Sequence, residues 1–249
     1  MQVLLDGRDA ASLARELAVP RVLLLARVPS TMDVAHAAAA EGASAGTLVV
    51  ADTQTAGRGR GGRRWASAAG SGIWLTLIER PDDAEALSVL SLRLGLAAAP
   101  VLERWAGDRV QLKWPNDLMV RGRKLAGILV EARWRDSRAE WVAIGMGVNV
   151  AVPDDSAVAG LPGATTRAEV LAELVPAVRA AVRLRGLLTM SELEAWAARD
   201  FGAGKSCSAP VHGEVVGIDA SGALLVAAAG EPAPRAFRDG SLLFEAHRS

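Results

Sequence analysis

The sequence predicts an α+β protein: a mixed, largely antiparallel sheet with helices on one face, followed by a small C-terminal β-barrel. Short Val-, Ile- and Leu-rich runs alternate with Ala-rich segments of helical composition as far as about residue 200. Residues 121–124 (RGRK) read as a hairpin turn leading directly into the long apolar run 125–134. From Gly202 the texture changes to brief β-like pieces split by Asp219-Ala-Ser-Gly222, Pro232/Pro234 and Asp239-Gly240, a spacing that suits a small barrel.

Taken in order, residues 20–28 (PRVLLLARV) form a buried strand that Pro29 closes. Ser30 and Asp33 make a capping-box-like pair for a helix that stops at Gly42. A strand over 46–53 leads to the loop QTAGRGRGGRRWASAAGSG (54–72), and IWLTLIE (73–79) returns to strand character. Residues 84–105 are helical, with Pro100 ending or kinking the segment. VQLK (110–113) and DLMV (117–120) are short strands joined through WPN; 125–134 and 140–150 are longer ones, the last leaving strand geometry near its glycines. Helices return at 166–185 and 189–199, the second carrying the capping-box pair Thr189 and Glu192. Residues 151–164 read as a surface loop. A domain boundary falls at about residue 203, dividing 1–203 from 204–249.

Composition narrows the function. Apolar residues make up 51% of 249, much of it Ala, and mean hydropathy is +0.21. No apolar run reaches the roughly 18 residues of a spanning helix, and residues 1–9 show no signal-peptide pattern. A membrane role is therefore not expected. Cys207 is the only cysteine, which excludes an internal disulfide and Cys-based metal frameworks and favours the cytoplasm. With 28 basic and 28 acidic residues, global polyanion binding gains no support. His36, His212 and His247 stand apart, so no metal site is expected. His36 reads as an ordinary helix-face residue, and Trp74, Trp105, Trp134, Trp141 and Trp196 as packing residues.

Chemistry concentrates in two places. Arg58, Arg60, Arg63 and Arg64 interleave with Gly57, Gly59, Gly61 and Gly62, and no acid lies between Asp52 and Glu79. Exposed backbone N–H groups beside planar guanidinium forks suit a phosphate-bearing ligand. A solvated basic loop has the same composition, and a Gly-Arg tract with an aromatic also binds single-stranded nucleic acid. The P-loop pattern is missing. The second place pairs Lys113-Trp-Pro-Asn-Asp117 with Arg123-Lys-Leu-Ala-Gly127, which sets Lys124 near Asp117 at neighbouring strand ends. Taken alone, an ion pair is the plainer reading.

The strings TAGRGRGGRRW (55–65), KWPND (113–117), RKLAGILVE (123–131) and IGMGVNV (144–150) resemble, in order and spacing, the catalytic domain of biotin–protein ligases. The resemblance covers about residues 20–200, and 205–249 is similar to that family's C-terminal domain. It implies a class II synthetase-like catalytic domain with an SH3-like barrel. It also implies ATP, biotin and Mg²⁺ as ligands, and as partner a biotin carboxyl carrier domain of a biotin-dependent carboxylase. The implied reaction adenylates biotin and transfers it to a carrier lysine. A homodimer is compatible with it.

Matching positions imply roles. Ser30, Thr31 and Gln54 resemble biotin contacts. Arg58, Gly59 and Arg60 resemble the loop that closes over biotin and the adenylate phosphate. Lys124 resembles the lysine that bridges the biotin carboxylate and the α-phosphate, Gly127 a point of close backbone access, and Trp65 an adenine-stacking wall. Asn149 resembles the adenine-edge reader, Asp117 the aspartate facing the carrier lysine, and Lys113 a phosphate contact. Lys124, Arg60 and Asp117 make up the implied catalytic set. Two positions depart from the pattern: Met32 replaces a usual Asn, and Gly61 a frequent basic residue. About 19 residues precede the first core strand, too few for the DNA-binding domain of some members, so no operator binding is expected. Two rivals stand: a lipoate or octanoate ligase of related fold, and a single-strand nucleic-acid binder, whose binding would fall steeply with salt.

Overall fold

The computed structural model describes residues 2–152, 157–162 and 165–245. The loop expected at 151–164 lies partly outside them, and His247 wholly so.

Helix α1 (Ala10–Glu16), absent from the expected elements, is capped by Asp9, which accepts the Ser12 N–H at 2.8 Å. Strand β1 (Val22–Val28) leads to α2 (Thr31–Ala40) and β2 (Leu48–Gln54). The Gly-Arg segment folds into a small hairpin, β3 (Gly57–Arg58) and β4 (Arg64–Trp65), around a single 3-10 turn at Arg60–Gly62. Then come β5 (Gly72–Glu79), α3 (Ala84–Ser88), α4 (Leu90–Ala106), β6 (Gln111–Lys113), β7 (Asp117–Val120), β8 (Arg123–Arg135) and β9 (Arg138–Asn149). Helices α5 (Arg167–Val182) and α6 (Met190–Ala197) precede β10 (Ser206–Ala209), β11 (Gly213–Ile218), β12 (Leu224–Ala227), β13 (Arg235–Phe237) and β14 (Leu243–Phe244).

Seven strands form one sheet in the order β1-β2-β5-β9-β8-β7-β6; β1 and β2 are parallel and every other pair is antiparallel. Two-residue loops set the hairpins at its centre. Arg121 and Gly122, at φ 50° and 75°, turn β7 into β8, and Asp136 at φ 54° opens the β8–β9 turn. Positive φ matches the strand twist at such turns.

Five expectations need correction. Helices cover both faces of the sheet, because its strands alternate with period two. Ile73, Leu75 and Leu77 of β5 join one core with α1, α4 and α5, while Ile78 and Val49 join a second with Ala35 and Ala39 of α2. Strand β1 is an edge strand, half-buried through its middle rather than buried. Helix α4 runs through Pro100 to Ala106, held by its buried stripe Leu94, Ala98 and Leu102. Strand β9 stays in register through Gly145 and Gly147. At α2, Ser30 caps by accepting the Met32 N–H, but Asp33 is drawn to Arg58 instead of closing a box. The Thr189–Glu192 box of α6 forms in full.

The C-terminal strands make a five-stranded antiparallel sheet, β13-β12-β11-β10-β14, in which β10 was not foreseen. It shares the main core: Cys207, Val215, Leu224, Val226 and Leu242 belong to the same cluster as α4 and α5. Trp114 Nε1 donates to the Gly222 carbonyl at 3.0 Å across the junction. No helix among the described residues is long and apolar enough to cross a membrane.

Arg93, 2% exposed, holds α4 to the segment before α6. It donates to Glu192 and to the carbonyls of Arg185, Gly186 and Leu187 at 2.7–3.2 Å. Removing one member of a buried ion pair strands the other and costs about 3–5 kcal/mol. Arg93→Ala is expected to lower unfolding free energy by about that amount in urea titrations; a loss under about 1 kcal/mol would contradict this account.

Candidate active site

The site lies on the α2 face of the sheet, where glycines remove the side chains. Gly127 of β8 pairs with Gly147 of β9, and Leu129 with Gly145. A Cβ built on Gly147 would sit 2.5 Å from the Trp65 ring and one on Gly127 2.8 Å from it; one on Gly145 would lie 2.9 Å from Met32 Cε. Alternation along β9 sends Ile144, Met146 and Val148 into the opposite core, so the bared floor costs little packing. Over this floor opens a cavity lined by Ser30, Thr31, Gln54, Lys124 and the Gly-Arg hairpin.

One wall is the start of α2. Thr31 is buried, and its N–H and hydroxyl both donate to Gln54 Oε1, at 2.8 and 3.1 Å. Thr76 of β5 donates to the Thr31 hydroxyl at 2.9 Å, and Gln54 Nε2 donates to Ser67 at 2.8 Å. Ser30, 1% exposed, completes this polar end. Met32 packs its methyl over Gly145.

The opposite wall carries charge. Lys124 Nζ lies 2.6 Å from Asp117 and 4.8 Å from the centre of the Trp65 ring. The Asn116 amide donates to the Ile128 carbonyl at 2.7 Å, which fixes the turn that presents Asp117. Trp65 lies over the glycine floor with its edge toward Trp74, at 6.4 Å between ring centroids. Its buried Nε1 has no acceptor among the described residues.

The hairpin β3–β4 forms the roof, with Arg58, Gly59, Arg60, Arg63 and Arg64 at the cavity. Arg58 is anchored at both ends of its fork, to Asp33 at 2.8 Å and Glu131 at 2.7 Å. Arg63 reaches Ser241 of the C-terminal sheet at 3.2 Å.

Ten expected residues meet at this cavity: Ser30, Thr31, Gln54, Arg58, Gly59, Arg60, Trp65, Asp117, Lys124 and Gly127. Asn149 and Lys113 stand outside its lining. Asn149 is buried and its amide donates to the Lys124 carbonyl at 3.2 Å. Lys113 lies 5.2 Å from the Phe244 ring of the C-terminal sheet. Burial lowers its pKa; Lys124, Arg63 and Lys205 add to the shift, and Asp117 opposes it. Sequence reasoning missed Thr76, Asn116, Gly145 and Gly147. The last two were visible as a glycine alternation at strand period, and nothing marked Thr76. Among the tryptophans, Trp134 is exposed rather than packed. His36, expected to be an idle helix-face residue, bonds both Glu131 and Trp141.

A family model described as the biotin/lipoate A/B protein ligase family matches residues 24–149. A biotin–[acetyl-CoA-carboxylase] ligase of Paracoccus denitrificans is 37% identical over 228 residues, covering 82% of this chain and 92% of that one. A bifunctional ligase/repressor BirA of Bacillus subtilis is 45% identical over 122 residues; the match spans 49% of this chain and only 38% of that relative's length. Among solved structures, a biotin protein ligase from Aquifex aeolicus in complex with biotin and ATP superposes with TM-score 0.72. It is 23% identical, over 90% of this chain and 98% of that one. One from Leishmania major in complex with biotinyl-5-AMP gives TM-score 0.57 at 26% identity, over 91% and 99%.

The Thr31 hydroxyl joins Thr76 to Gln54 inside a buried wall, so Thr31→Val should leave the Thr76 hydroxyl unpaired with no gain in volume. The expected loss of unfolding free energy is about 1–2 kcal/mol by chemical denaturation. A neutral substitution would show that the chain of hydroxyls is not formed.

Proposed function

This chain belongs to the biotin/lipoate A/B protein ligase family, and from that premise we propose that it activates biotin with ATP as biotinyl-5′-AMP. It then transfers the biotinyl group to a lysine of a biotin carboxyl carrier protein. The observation that carries this reading is the meeting, in one cavity, of a hydroxyl-and-amide wall, a bared glycine floor, Lys124 and a Gly-Arg roof. A ligand with an uncharged polar head, an apolar middle and an anionic end matches that order.

In the first step a carboxylate oxygen of biotin attacks the α-phosphorus of ATP, and the bond to the pyrophosphate oxygen breaks. Ser30, Thr31 and Gln54 hold the head group. Lys124 leaves Asp117 and lies between the carboxylate and the α-phosphate, where its charge offsets the negative charge that gathers in the transition state. Arg58 and Arg60 cover the ligand from the roof, Lys113 supports the phosphates and Trp65 walls the adenine. An adenine-edge role for Asn149 would use the amide N–H that the Lys124 carbonyl does not take. In the second step the carrier amine attacks the acyl carbon and AMP departs. Asp117, released by Lys124, is placed to accept the proton that the amine loses.

Mg²⁺ bound to the nucleotide would supply charge neutralisation at the phosphates. The described residues hold no cluster of three metal-ligating side chains, and Asp117 is the carboxylate at the cavity, which fits a metal carried by phosphate. We read the C-terminal sheet as the family's SH3-like barrel, the boundary at about residue 203, and residues 1–203 as a class II synthetase-like unit. The balance of 28 basic and 28 acidic residues supports no DNA operator as partner. The single cysteine fits a reducing compartment, so we assign the protein to the cytoplasm.

The test is pyrophosphate release with Mg-ATP and either biotin or lipoate, with the protein fraction analysed for bound adenylate by mass spectrometry. Release and bound biotinyl-AMP are expected with biotin alone as the acid. Lys124→Ala should lower the rate by about 100- to 1,000-fold while its melting curve stays near wild type. Equal release with lipoate would sink the biotin assignment, and full activity of Lys124→Ala would sink the role given to that lysine.

A further inference from the structure

The roof of the site is fastened through Arg58 by three side chains that the proposed reaction does not use, Glu131, His36 and Trp141. Arg58 Nη2 donates to Glu131 Oε1 at 2.7 Å, and Glu131 Oε2 lies 3.0 Å from His36 Nε2. On the far side of the ring, Trp141 Nε1 donates to His36 Nδ1 at 2.9 Å. An indole N–H can only donate, so Nδ1 must be the acceptor and the ring's proton sits on Nε2. His36 is therefore a donor toward Glu131, and the two carboxylate oxygens each accept from a different neighbour. The second arm of the Arg58 fork goes to Asp33 on α2, from the same helix as His36. Gly61 and Gly62, both at positive φ, form the hairpin tip.

We propose that Glu131, held by the tautomer that Trp141 imposes on His36, is a positioning residue: by fixing Arg58 it sets how long the roof stays closed over the acyl-adenylate. This rests on the function proposed above for what is enclosed, but the fastening exists in the ligand-free protein and can be read there.

The tautomer makes the proposal sharp. In Glu131→Gln a single carbonyl oxygen faces two donors, Arg58 and His36, and the amide –NH₂ can satisfy neither. One contact must be lost, so the roof should open more often. In Glu131→Gln with Trp141→Phe, the His36 proton is free to move to Nδ1. Nε2 then accepts from the amide –NH₂ while the amide oxygen serves Arg58, and the fastening re-forms. A residue that mattered only for packing would not be rescued by a second deletion beside it.

Two readouts test this on the full chain. The first is the rate of tryptic nicking after Arg60, Arg63 or Arg64 without ligands. The second, with biotin and Mg-ATP, is the half-life of retained biotinyl-AMP. Glu131→Gln is expected to speed nicking by roughly three- to tenfold, a modest factor because Arg58 is part-exposed. It should shorten retention by a similar factor, and the double variant should return both toward wild type. Nicking unchanged in Glu131→Gln, or raised but not rescued by Trp141→Phe, would overturn the proposal. If nicking behaves as expected but no variant, wild type included, forms adenylate, the fastening stands and the function reading fails.

Discussion

A sheet buried on both faces has little room for a ligand unless side chains are removed from one of them, and in this chain they are removed at Gly127, Gly145 and Gly147. The three positions share one face of two adjacent central strands, Gly127 and Gly147 in direct cross-strand register and Gly145 opposite Leu129. Alternation lets the same strands bury Ala126, Ile128, Ile144 and Met146 on the other face against α4 and its neighbours. The floor and the core are thus made by one pair of strands. A shift of a single residue in register would exchange them. Tight two-residue turns at Arg121-Gly122 and Asp136-Ser137 hold that register, so the place of the site depends on hairpin chemistry some distance from it.

Everything around the floor is organised by charge held in reserve. Lys124 rests on Asp117, and Arg58 on Asp33 and Glu131, so cations that would repel one another are each neutralised when no anion is present. Under the proposed function, phosphate binding would be an exchange of partners instead of the burial of bare charge, which keeps the desolvation cost low. Lys113 is half-buried, and burial lowers its pKa. Its position beside Phe244 brings the C-terminal sheet to the edge of the site, as does Arg63 through Ser241. The small sheet is accordingly continuous with the main core and also close to the chemistry.

How much of this could be read from residues alone follows from the range of each interaction. Local signals worked: the Thr189–Glu192 cap, the turn at Arg121-Gly122, and the approach of Lys124 to Asp117 across adjacent strand ends. The motif strings hold seven of the ten expected residues that meet at one cavity; Ser30, Thr31 and Gln54 lie outside them. Long-range partners did not show. His36, Glu131 and Trp141 lie about a hundred positions apart in part, and a lone histidine on an Ala-rich helix gives no sign of the two bonds it makes. Thr76 looked like any β-branched strand residue until Thr31 was found beside it. Pro100 misled for the opposite reason, since a local rule for ending helices yielded to the buried stripe of α4.

The central claim is that the adenylate occupies the glycine floor beneath the arginine roof. A crystal structure with a non-hydrolysable biotinyl-AMP analogue tests it most directly. The ligand should lie along Gly127 and Gly147, with Trp65 lifted from that strip and Lys124 moved from Asp117 to the phosphate. A ligand bound elsewhere, with Trp65 still covering both glycines and Lys124 still on Asp117, would contradict the account.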